Sequence, residues 1–451
     1  MQKMQQMVKW YMISTLVLLG SISLNGQAMI SLDEAIAAAL ENNFDIRLAK
    51  NDSAVAALDY SYRNAVFLPR INGALGTNWT NNNQKQEFTT GNNREGNVTT
   101  SNVNAAINLN WTLFDGLKMF VTRKKAEEYI HLGELEIKNQ VINTVAEVVN
   151  TYFDIVRQKQ QLRAVEEQMS ISQTRVDLSQ RKLEIGVGTK PELLQSQVDL
   201  NAQKAAQLQE LSLIVELKEK LNHLVNPSLS NDQGNTSSTD YEVSDSIPIN
   251  EEITLNEIQS VLVTNNPLLA YDQKNIDIAG LSLKELKADR YPTVQFNSAY
   301  NFTKTNNNVA LNPALPIYNR NQGLNYGFTA AIPILNYRNT SRLISQAELN
   351  IGFLQLEYDN QKAMLHLSVL NAFHEYELQK QSLHLEEDNI LLARENVNII
   401  LELYRLGSAT YLQLREAQKS LEDAYNRLIA ARFNTKLAET ELLRLKGEIV
   451  R

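Results

Sequence analysis

Residues 184–190, EIGVGTK, contain the residue types from which phosphate-binding loops are built, with two glycines, a threonine and a lysine close together. In such a loop, backbone N–H groups surround the phosphates and the lysine contacts them. That loop follows a buried strand and ends in GKS or GKT. EIGVGTK instead follows about seventy residues without a proline and leads into Pro191, which favours a helix start. We therefore interpret it as the turn between two helices.

Other residues that could carry catalysis or bind a metal form no recognised pattern. His374 precedes Glu375, but Leu378 stands where the second histidine of a zinc-protease motif would be. The chain has no cysteine, and no serine lies in a nucleophile-elbow sequence. We expect no enzymatic activity, no metal site and no cofactor.

The composition is that of a folded, exported chain. Of 451 residues, 43% are hydrophobic and 21% are charged, and a net charge of -8 without a basic stripe argues against nucleic acid as a partner. The first residues predict a signal peptide over residues 1–28. Lys3 and Lys9 are followed by an apolar run over residues 10–20 and then by small residues. No later apolar run has the length of a membrane-spanning helix, so any membrane crossing would use strands.

The chain contains an internal repeat. SLDEAIAAALENN at residues 31–43 returns as TLNEIQSVLVTNN at 254–266, and LEIGVGTKPELLQSQ at 183–197 returns as YRLGSATYLQLREAQ at 404–418. We assign a first repeat to residues 29–225, a polar linker to 226–253 and a second repeat to 254–451. Each repeat is predicted to contain a helix, two strands and a long helical hairpin.

Four segments alternate between apolar and polar residues and are predicted to be strands, at about residues 70–80, 99–113, 293–303 and 323–335. The polar segments between the paired strands, 81–97 and 303–322, are expected to be exposed loops. One such strand would suit a soluble sheet. Four of them, each about ten residues long and with aromatic side chains on the apolar face, favour strands that cross a bilayer. Four strands cannot close a barrel, so several chains would share one.

Apolar residues recur every seven positions along the helices, which predicts coiled-coil packing. The first stripe is Val141, Val148, Ile155, Leu162, Met169, Val176 and Leu183, and the second is Val369, Tyr376, Leu383, Ile390, Val397 and Tyr404. The returning helices carry Leu193, Leu200, Ile214 and Leu221, matched by Leu414, Leu421, Thr435 and Leu442. Each repeat therefore ends in a helical hairpin, with tips at residues 186–189 and 407–410.

Together these features resemble the TolC-like outer-membrane efflux protein family, the outer membrane factors. The resemblance covers nearly the whole chain after residue 28 and rests on the two repeats, on WTLFDG at 111–116 with IPILNY at 332–337, and on a tip motif. That motif is matched by Gly186, Thr189, Glu192, Ser196 and Gln197 and again by Gly407, Thr410, Gln413, Ala417 and Gln418.

The resemblance implies a mixed fold, in which a membrane β-barrel is combined with a long α-helical coiled-coil barrel. Three chains would form a homotrimer that shares one 12-stranded barrel in the lipid of the outer membrane of a diderm bacterium, with the helical part in the periplasm. The trimer would be the passive exit duct of a tripartite efflux or type I secretion system. Its partners would be a periplasmic adaptor (membrane fusion) protein and an inner-membrane RND or ABC transporter.

By the same resemblance, the adaptor docks on the two tips, which are formed by Gly186, Val187, Gly188 and Thr189 and by Gly407, Ser408, Ala409 and Thr410. A periplasmic gate is expected beside them, where Glu192 would bond Tyr404. Gln413 and Glu416 occupy the positions of two acidic gate residues, and Ala409 replaces an expected arginine. A charged ring at the aperture should therefore be weaker than in the family's best-studied type.

Two other functions remain open on the residues alone. A general outer-membrane porin would need the strands but not the helical hairpins. A structural coiled-coil envelope protein would need the hairpins but not the strands. Because both features are present, the sequence favours the duct, although no motif indicates its cargo.

Overall fold

The computed structural model describes residues 28–89, 91, 93–225, 241–311 and 316–449. Apart from Ala28, the predicted signal peptide lies outside the described residues, as does the 226–240 part of the predicted linker. In chain order, the helices and strands are β1 (Ala28–Met29), α1 (Leu32–Asn42), α2 (Phe44–Ser61), β2 (Arg70–Gln86), β3 (Arg94–Asp115), α3 (Lys118–Glu184), α4 (Lys190–Val225), β4 (Tyr241–Glu242), α5 (Leu255–Asn265), α6 (Pro267–Ala288), β5 (Thr293–Asn307), β6 (Tyr318–Ala331), α7 (Asn339–Arg405) and α8 (Tyr411–Lys446).

Two compact units divide the chain, and each contains parts of both sequence repeats. Unit 1 is formed by Met1–Arg47, Val141–Ser260 and Ser368–Arg451, and unit 2 by Leu48–Gln140 and Val261–Leu367. In their described parts, unit 1 contains all of α4 and α8 with the tip-side parts of α3 and α7, and unit 2 contains β2, β3, β5 and β6. None of the described helices has an apolar stretch long enough to span a membrane.

The seven-residue stripe predicted for the second repeat is confirmed in unit 1. Its six residues are all buried, and so are the eight positions predicted on the returning helices. Ile390 and Val397 of α7 pack with Leu421 and Ile429 of α8 in one apolar cluster. A seven-residue spacing keeps these side chains on one face of each helix, so the two helices of the hairpin bury a continuous seam.

The stripe predicted for the first repeat is buried only in part. Val148 and Ile155 are buried, but five members of the stripe are half-buried: Val141, Leu162, Met169, Val176 and Leu183. Towards the tip, α3 instead buries four polar residues: Gln168, Ser172, Arg175 and Ser179. Because this polar set follows the same coiled-coil spacing, periodicity alone did not indicate which face of α3 would be covered.

The main apolar core of unit 1 lies away from the tips, near the middle of α3 and the end of α4. Val145, Val148 and Tyr152 of α3 pack there with Ala39 of α1 and Leu221 of α4. The α1 helix starts at Ser31, whose hydroxyl accepts from the Glu34 N–H while the Glu34 carboxylate accepts from the Ser31 N–H. This reciprocal cap satisfies two backbone N–H groups at the start of α1.

The four-stranded sheet of unit 2 is antiparallel, in the order β2-β3-β5-β6. Its strands extend beyond the predicted ones into the segments expected to be loops, so that Asn81 pairs with Thr99 and Lys304 pairs with Arg320. Backbone pairing does not require apolar side chains, and these polar stretches therefore continue the ladder. The last strand ends at Ala331, before the predicted limit at 335, because Pro333 has no N–H to donate.

One face of the sheet is mainly apolar over the part of the strands that was predicted from the sequence. The register places Ile71 opposite Leu109, Trp111 opposite Phe296, and Tyr300 opposite Leu324. The exposed apolar residues of this face include Ile71, Leu75, Trp79, Ile107, Tyr300, Leu324, Tyr326 and Phe328. The opposite face carries asparagines such as Asn104, Asn108 and Asn325.

Candidate functional site

Both hairpin tips turn at a glycine in the left-handed region of backbone conformation. Gly186 has φ 82° and Gly407 has φ 78°. At the first tip, the N–H groups of Val187 and Gly188 both donate to the Lys182 carbonyl. At the second, the Ser408 and Ala409 N–H groups donate to the Leu403 carbonyl. These are the bonds that terminate a helix, so they occupy the backbone donors that a phosphate loop would need.

The remaining tip residues start the returning helices. The Thr189 hydroxyl accepts from the Glu192 N–H at 3.4 Å at the start of α4. Thr410 caps α8 in the same way by accepting from the Gln413 N–H, and the Gln413 side chain accepts from the Thr410 N–H at 2.8 Å. Gln413, predicted as a gate residue, therefore serves as half of a helix cap in this chain.

The tip residues differ in how far they are exposed to solvent. Val187, Gly407 and Ser408 are exposed, whereas Ala409 is buried against Tyr404 and Leu414. An arginine at position 409 would have to leave this small apolar cluster. In this chain, the second tip is therefore packed around a small side chain at position 409.

Tyr404, the second predicted gate residue, is buried and has partners other than the expected one. Its hydroxyl lies 3.2 Å from Ser179 Oγ, which lies 3.3 Å from Ser196 Oγ. Ser196 in turn donates to the backbone carbonyl of Glu192. In the single chain, the described contacts between Tyr404 and Glu192 therefore run through a relay of two serines to the Glu192 backbone. The bond between Tyr404 and the Glu192 carboxylate stays a prediction for the gate.

The electrostatic surroundings of Tyr404 still include the predicted acid. Burial raises the pKa of Tyr404 above its ordinary value, and the nearby negative charge of Glu192 acts in the same direction. Lys182 donates to the Tyr404 carbonyl at 2.8 Å, and its ammonium lies 3.4 Å from the centre of the tyrosine ring. The neutral phenol of the second hairpin is thus held against the first hairpin by one cation, Lys182, and one hydroxyl, that of Ser179.

A buried charged network that the sequence interpretation missed lies next to these residues. The Arg175 guanidinium of α3 donates to Asp199 of α4 at 2.7 Å and to Gln418 of α8 at 2.5 Å. Tyr411, at the start of α8, donates to the same Asp199 oxygen at 2.9 Å and lies with its ring 5.2 Å from the guanidinium. The available signal was the polar a/d spacing of Gln168, Ser172, Arg175 and Ser179 within an otherwise apolar heptad pattern.

Glu416, the last predicted gate residue, is exposed on α8 near this network. Of the four predicted gate positions, the structure places Glu192 and Tyr404 close together, uses Gln413 as a cap and leaves Glu416 at the surface. Within the described part of the chain, no group of three or more His, Cys, Asp or Glu residues could hold a metal ion.

Comparisons with known proteins decide the family. The model of the outer membrane efflux protein family matches the chain twice, at residues 35–226 and 258–448. The chain belongs to this family. The two matches correspond to the two halves of the internal repeat, and the resemblance to TolC-like proteins is confirmed. The function predicted from the sequence, an outer-membrane duct for efflux, is thereby favoured over the porin and the structural envelope protein.

Individual relatives agree with the assignment. Outer membrane efflux protein BepC of Brucella suis biovar 1 is 20% identical to this chain in an alignment 451 residues long. The alignment covers 97% of this chain and 90% of BepC. Among solved structures, the outer membrane protein VceC of Vibrio cholerae has a TM-score of 0.73 at 15% identity and 92% coverage of this chain, with 96% of VceC covered. The CmeC outer membrane channel of Campylobacter jejuni has a TM-score of 0.72 at 15% identity, with 92% and 85% coverage. This efflux protein therefore has the fold of known outer-membrane channels.

Proposed function

We propose that three copies of this chain form a passive exit duct of an efflux or type I secretion system, with the four-stranded sheet in the outer membrane and the helices in the periplasm. The observation that carries the proposal is the four-stranded sheet with one exposed apolar face. Within the described residues, the outer edges of β2 and β6 pair with no other strand. Such a sheet is prone to aggregate in water, whereas lipid would cover its face and neighbouring copies would complete its edges.

A closed barrel would satisfy every backbone group of this sheet. Four strands from each of three chains give the 12-stranded barrel that the family resemblance implies. In this arrangement β6 of one copy pairs with β2 of the next. The asparagine face would line the lumen, where water and polar cargo pass.

The helices of unit 1 support assembly independently of the sheet. A second apolar set at seven-residue spacing is exposed along α7 and at the residue that follows its end: Leu378, Leu385, Leu392, Ile399 and Leu406. The buried seam of α7 already faces its own chain, so this second set is available to pack with helices of another copy. A helix with two apolar stripes suits a barrel wall, in which each helix has neighbours on both sides.

The partners and the gate belong to the same proposal. The two tips, residues 186–189 and 407–410, would meet a periplasmic adaptor protein that connects the duct to an inner-membrane RND or ABC transporter. The serine relay of Tyr404, with Glu192 beside it, would hold the periplasmic end closed. Specificity for cargo would then lie largely with the pump and the adaptor.

Disulfide cross-linking tests the assembly, because the chain has no native cysteine. Leu75→Cys on β2 is combined in turn with Leu324→Cys, Tyr326→Cys and Phe328→Cys on β6. Outer-membrane fractions of each double variant are oxidised and then separated on non-reducing gels. At least one pair should give bands of two and three linked chains and none larger. Ile107→Cys with Tyr300→Cys, which are directly paired on the central strands, should link within one chain and serve as the control.

The pattern of bands separates the alternatives. A ladder that ends at two chains would contradict the trimer. Recovery of the protein as a water-soluble monomer would contradict the duct itself. A labelling experiment tests whether the apolar face contacts lipid. Leu75→Cys and Asn104→Cys are treated separately with a membrane-impermeant maleimide, which should react only with the cysteine at position 104.

A further inference from the structure

An exposed patch of apolar and basic side chains lies at the end of the sheet where β6 leads into α7. Thr293, the first residue of β5, pairs with Ala331, the last residue of β6, so the segments 289–292 and 332–338 lie at the same end of the sheet. Their apolar side chains that are more than half exposed are Tyr291, Ile332, Ile334, Leu335 and Tyr337. Exposed apolar patches of this kind mark a contact with a partner or with a membrane.

Tyr337 has a strained backbone without packing in return. Its φ is 52° and that of Arg338 is 60°, both in the left-handed region. The equivalent position of the first repeat, at the end of WTLFDG, is Gly116 with φ 70°. The Tyr337 side chain is 92% exposed, so it gains little from contacts within the chain. A strained tyrosine at the surface points to a function outside the packing of the chain.

Three exposed arginines, Arg290, Arg338 and Arg342, lie around the same turn. Nη2 of Arg290 is 3.5 Å from Ser341 Oγ, and the Arg342 N–H donates to the Arg338 carbonyl, which keeps the three close together. Within the described residues, none of the three forms an ion pair. Residues 290–347 contain no acidic residue, so this part of the sequence supplies no carboxylate for them.

The acidic residues that flank this part of the sequence are already neutralised. Asp289 is 2.8 Å from Lys118, and Glu348 is 3.3 Å from Lys287. Because the charges of each pair cancel, the three arginines leave the patch positive. Residues 60–86, which include the edge strand β2 that would lie beside β6 in a neighbouring copy, also contain no acidic residue. The patch therefore suits an anion that the protein does not supply.

We propose that this patch binds an anionic phospholipid of the periplasmic leaflet, with the three arginines on the headgroup phosphate and the apolar side chains on the acyl chains. The proposal rests on the function proposed above, because it requires the sheet to lie in the outer membrane. Tyrosine side chains lie at the headgroup level of a bilayer, and arginines close to its surface attract anionic headgroups. Each arginine raises the affinity for an anionic lipid by roughly fivefold. A soluble anion would engage the arginines but leave the apolar side chains in water.

Native mass spectrometry of the full chain in a non-ionic detergent tests the site by counting the lipids that stay bound. Phosphatidylglycerol, whose headgroup is anionic, and phosphatidylcholine, whose headgroup is zwitterionic, are added in equal amounts. The wild type should retain more phosphatidylglycerol, and Arg338→Gln with Arg342→Gln should lower the ratio of the two lipids by about tenfold. The control, Arg181→Gln with Arg405→Gln, removes the same charge from exposed helix positions near the tips and should keep the ratio of the wild type.

The same spectra report the mass of the assembly and so separate this proposal from the proposed function. A wild type that is not a trimer would contradict the duct, whichever lipid it retains. A trimer that retains both lipids equally, or equal lipid ratios in the two arginine variants, would overturn the lipid site alone. Loss of the trimer in Arg338→Gln with Arg342→Gln would also overturn it, because the patch would then be a contact between copies.

A soluble headgroup tests the role of the apolar side chains. Glycerol phosphate carries the same phosphate as phosphatidylglycerol but no acyl chain. At equal concentration it should displace little of the bound phosphatidylglycerol from the wild type, because it makes no apolar contact. Complete displacement would show that the arginines bind a phosphate without the lipid, and would overturn the proposal.

Discussion

Arg175 and Asp199 form a buried ion pair that joins α3 to α4, with 2.7 Å between Nη2 of the arginine and Oδ2 of the aspartate. The arginine side chain is only 2% exposed, and its other terminal nitrogen donates to Gln418 of α8. One guanidinium therefore connects three helices from both hairpins. Loss of Asp199 would leave the Arg175 charge buried without its carboxylate, which makes this pair a sensitive point of unit 1.

Arg175→Met should destabilise the protein by about 1–3 kcal/mol, because Gln418 loses its donor and Asp199 loses its nearest cation but keeps Tyr411 and Gln195 as donors. The double variant Arg175→Met with Asp199→Leu should recover part of this loss, since neither charge then remains. Apparent Tm values of the purified protein measure both effects. Arg163→Met breaks an exposed pair with Asp245 and should cost less than about 1 kcal/mol. Equal losses in Arg163→Met and Arg175→Met would contradict the assignment.

Tyr404→Phe should raise the open probability of the duct in planar bilayers, because it removes the hydroxyl that meets Ser179. A lost hydrogen bond of this kind changes the balance of closed and open states by about 1 kcal/mol, or roughly fivefold. Glu192→Gln should act more weakly, since its link to Tyr404 passes through its backbone carbonyl, and the combined variant should resemble Tyr404→Phe. Gln180→Ala, exposed beside Ser179 on α3, is the control. A larger effect of Glu192→Gln than of Tyr404→Phe would show that the carboxylate itself holds the gate.

The free energy of unfolding should fall at alkaline pH because the buried Tyr376 of α7 ionises. Burial, together with nearby Glu439, Glu377 and Glu251, raises the pKa of Tyr376 to about 12. A tyrosine ionises near pH 10 in the unfolded chain, so its contribution is complete below that value and is lost as pH rises from about 10 to about 12. Plots of Tm against pH should therefore slope less steeply in this window for Tyr376→Phe than for the wild type. Parallel plots for the two proteins would rule out Tyr376 as a contributor.

Gly407→Ala should cost about 1 kcal/mol, because a Cβ disfavours the left-handed conformation although the space around it is open. Gly352→Ala provides the matched control on α7. It also meets open space but lies in the helix interior, where alanine stabilises by about 1 kcal/mol. Thermal unfolding of the two variants should therefore shift in opposite directions, and shifts of the same sign would contradict the role of the tip glycine.

Leu385→Gln with Leu392→Gln should weaken the trimer without unfolding the chain, because both side chains are exposed in the single copy. Light scattering in detergent at decreasing protein concentration measures the mass of the assembly. Glu395→Gln, an exposed polar change on the same helix, should leave the mass unchanged. An unaltered trimer in the leucine variant would remove these residues from the interface.

The local features of this protein could be predicted from its residues. Alternation of apolar and polar residues indicated the strands, and apolar residues at every seventh position indicated the second hairpin. The glycines of GVGT and GSAT marked the two tips. These properties depend on neighbours a few positions apart, whose geometry is set by the helix or strand itself. Pro191 and the helical context likewise excluded a phosphate loop at residues 184–190, and the helix-terminating bonds of Val187 and Gly188 supply the physical reason.

The tertiary structure alone decided which polar side chains are buried and what they contact. Arg175 meets Gln418 from 243 positions away, and Tyr404 meets Ser179 from 225 positions away. Such pairs depend on how one hairpin lies against the other, which a repeat every seven residues does not specify. The same holds for the strand ends, because the ladder of β2 and β3 continues through polar residues wherever a partner backbone is within reach. The repeats, the tips and the family were thus evident from the residues, whereas the Arg175 network and the partners of Tyr404 follow from the packing of one hairpin against the other.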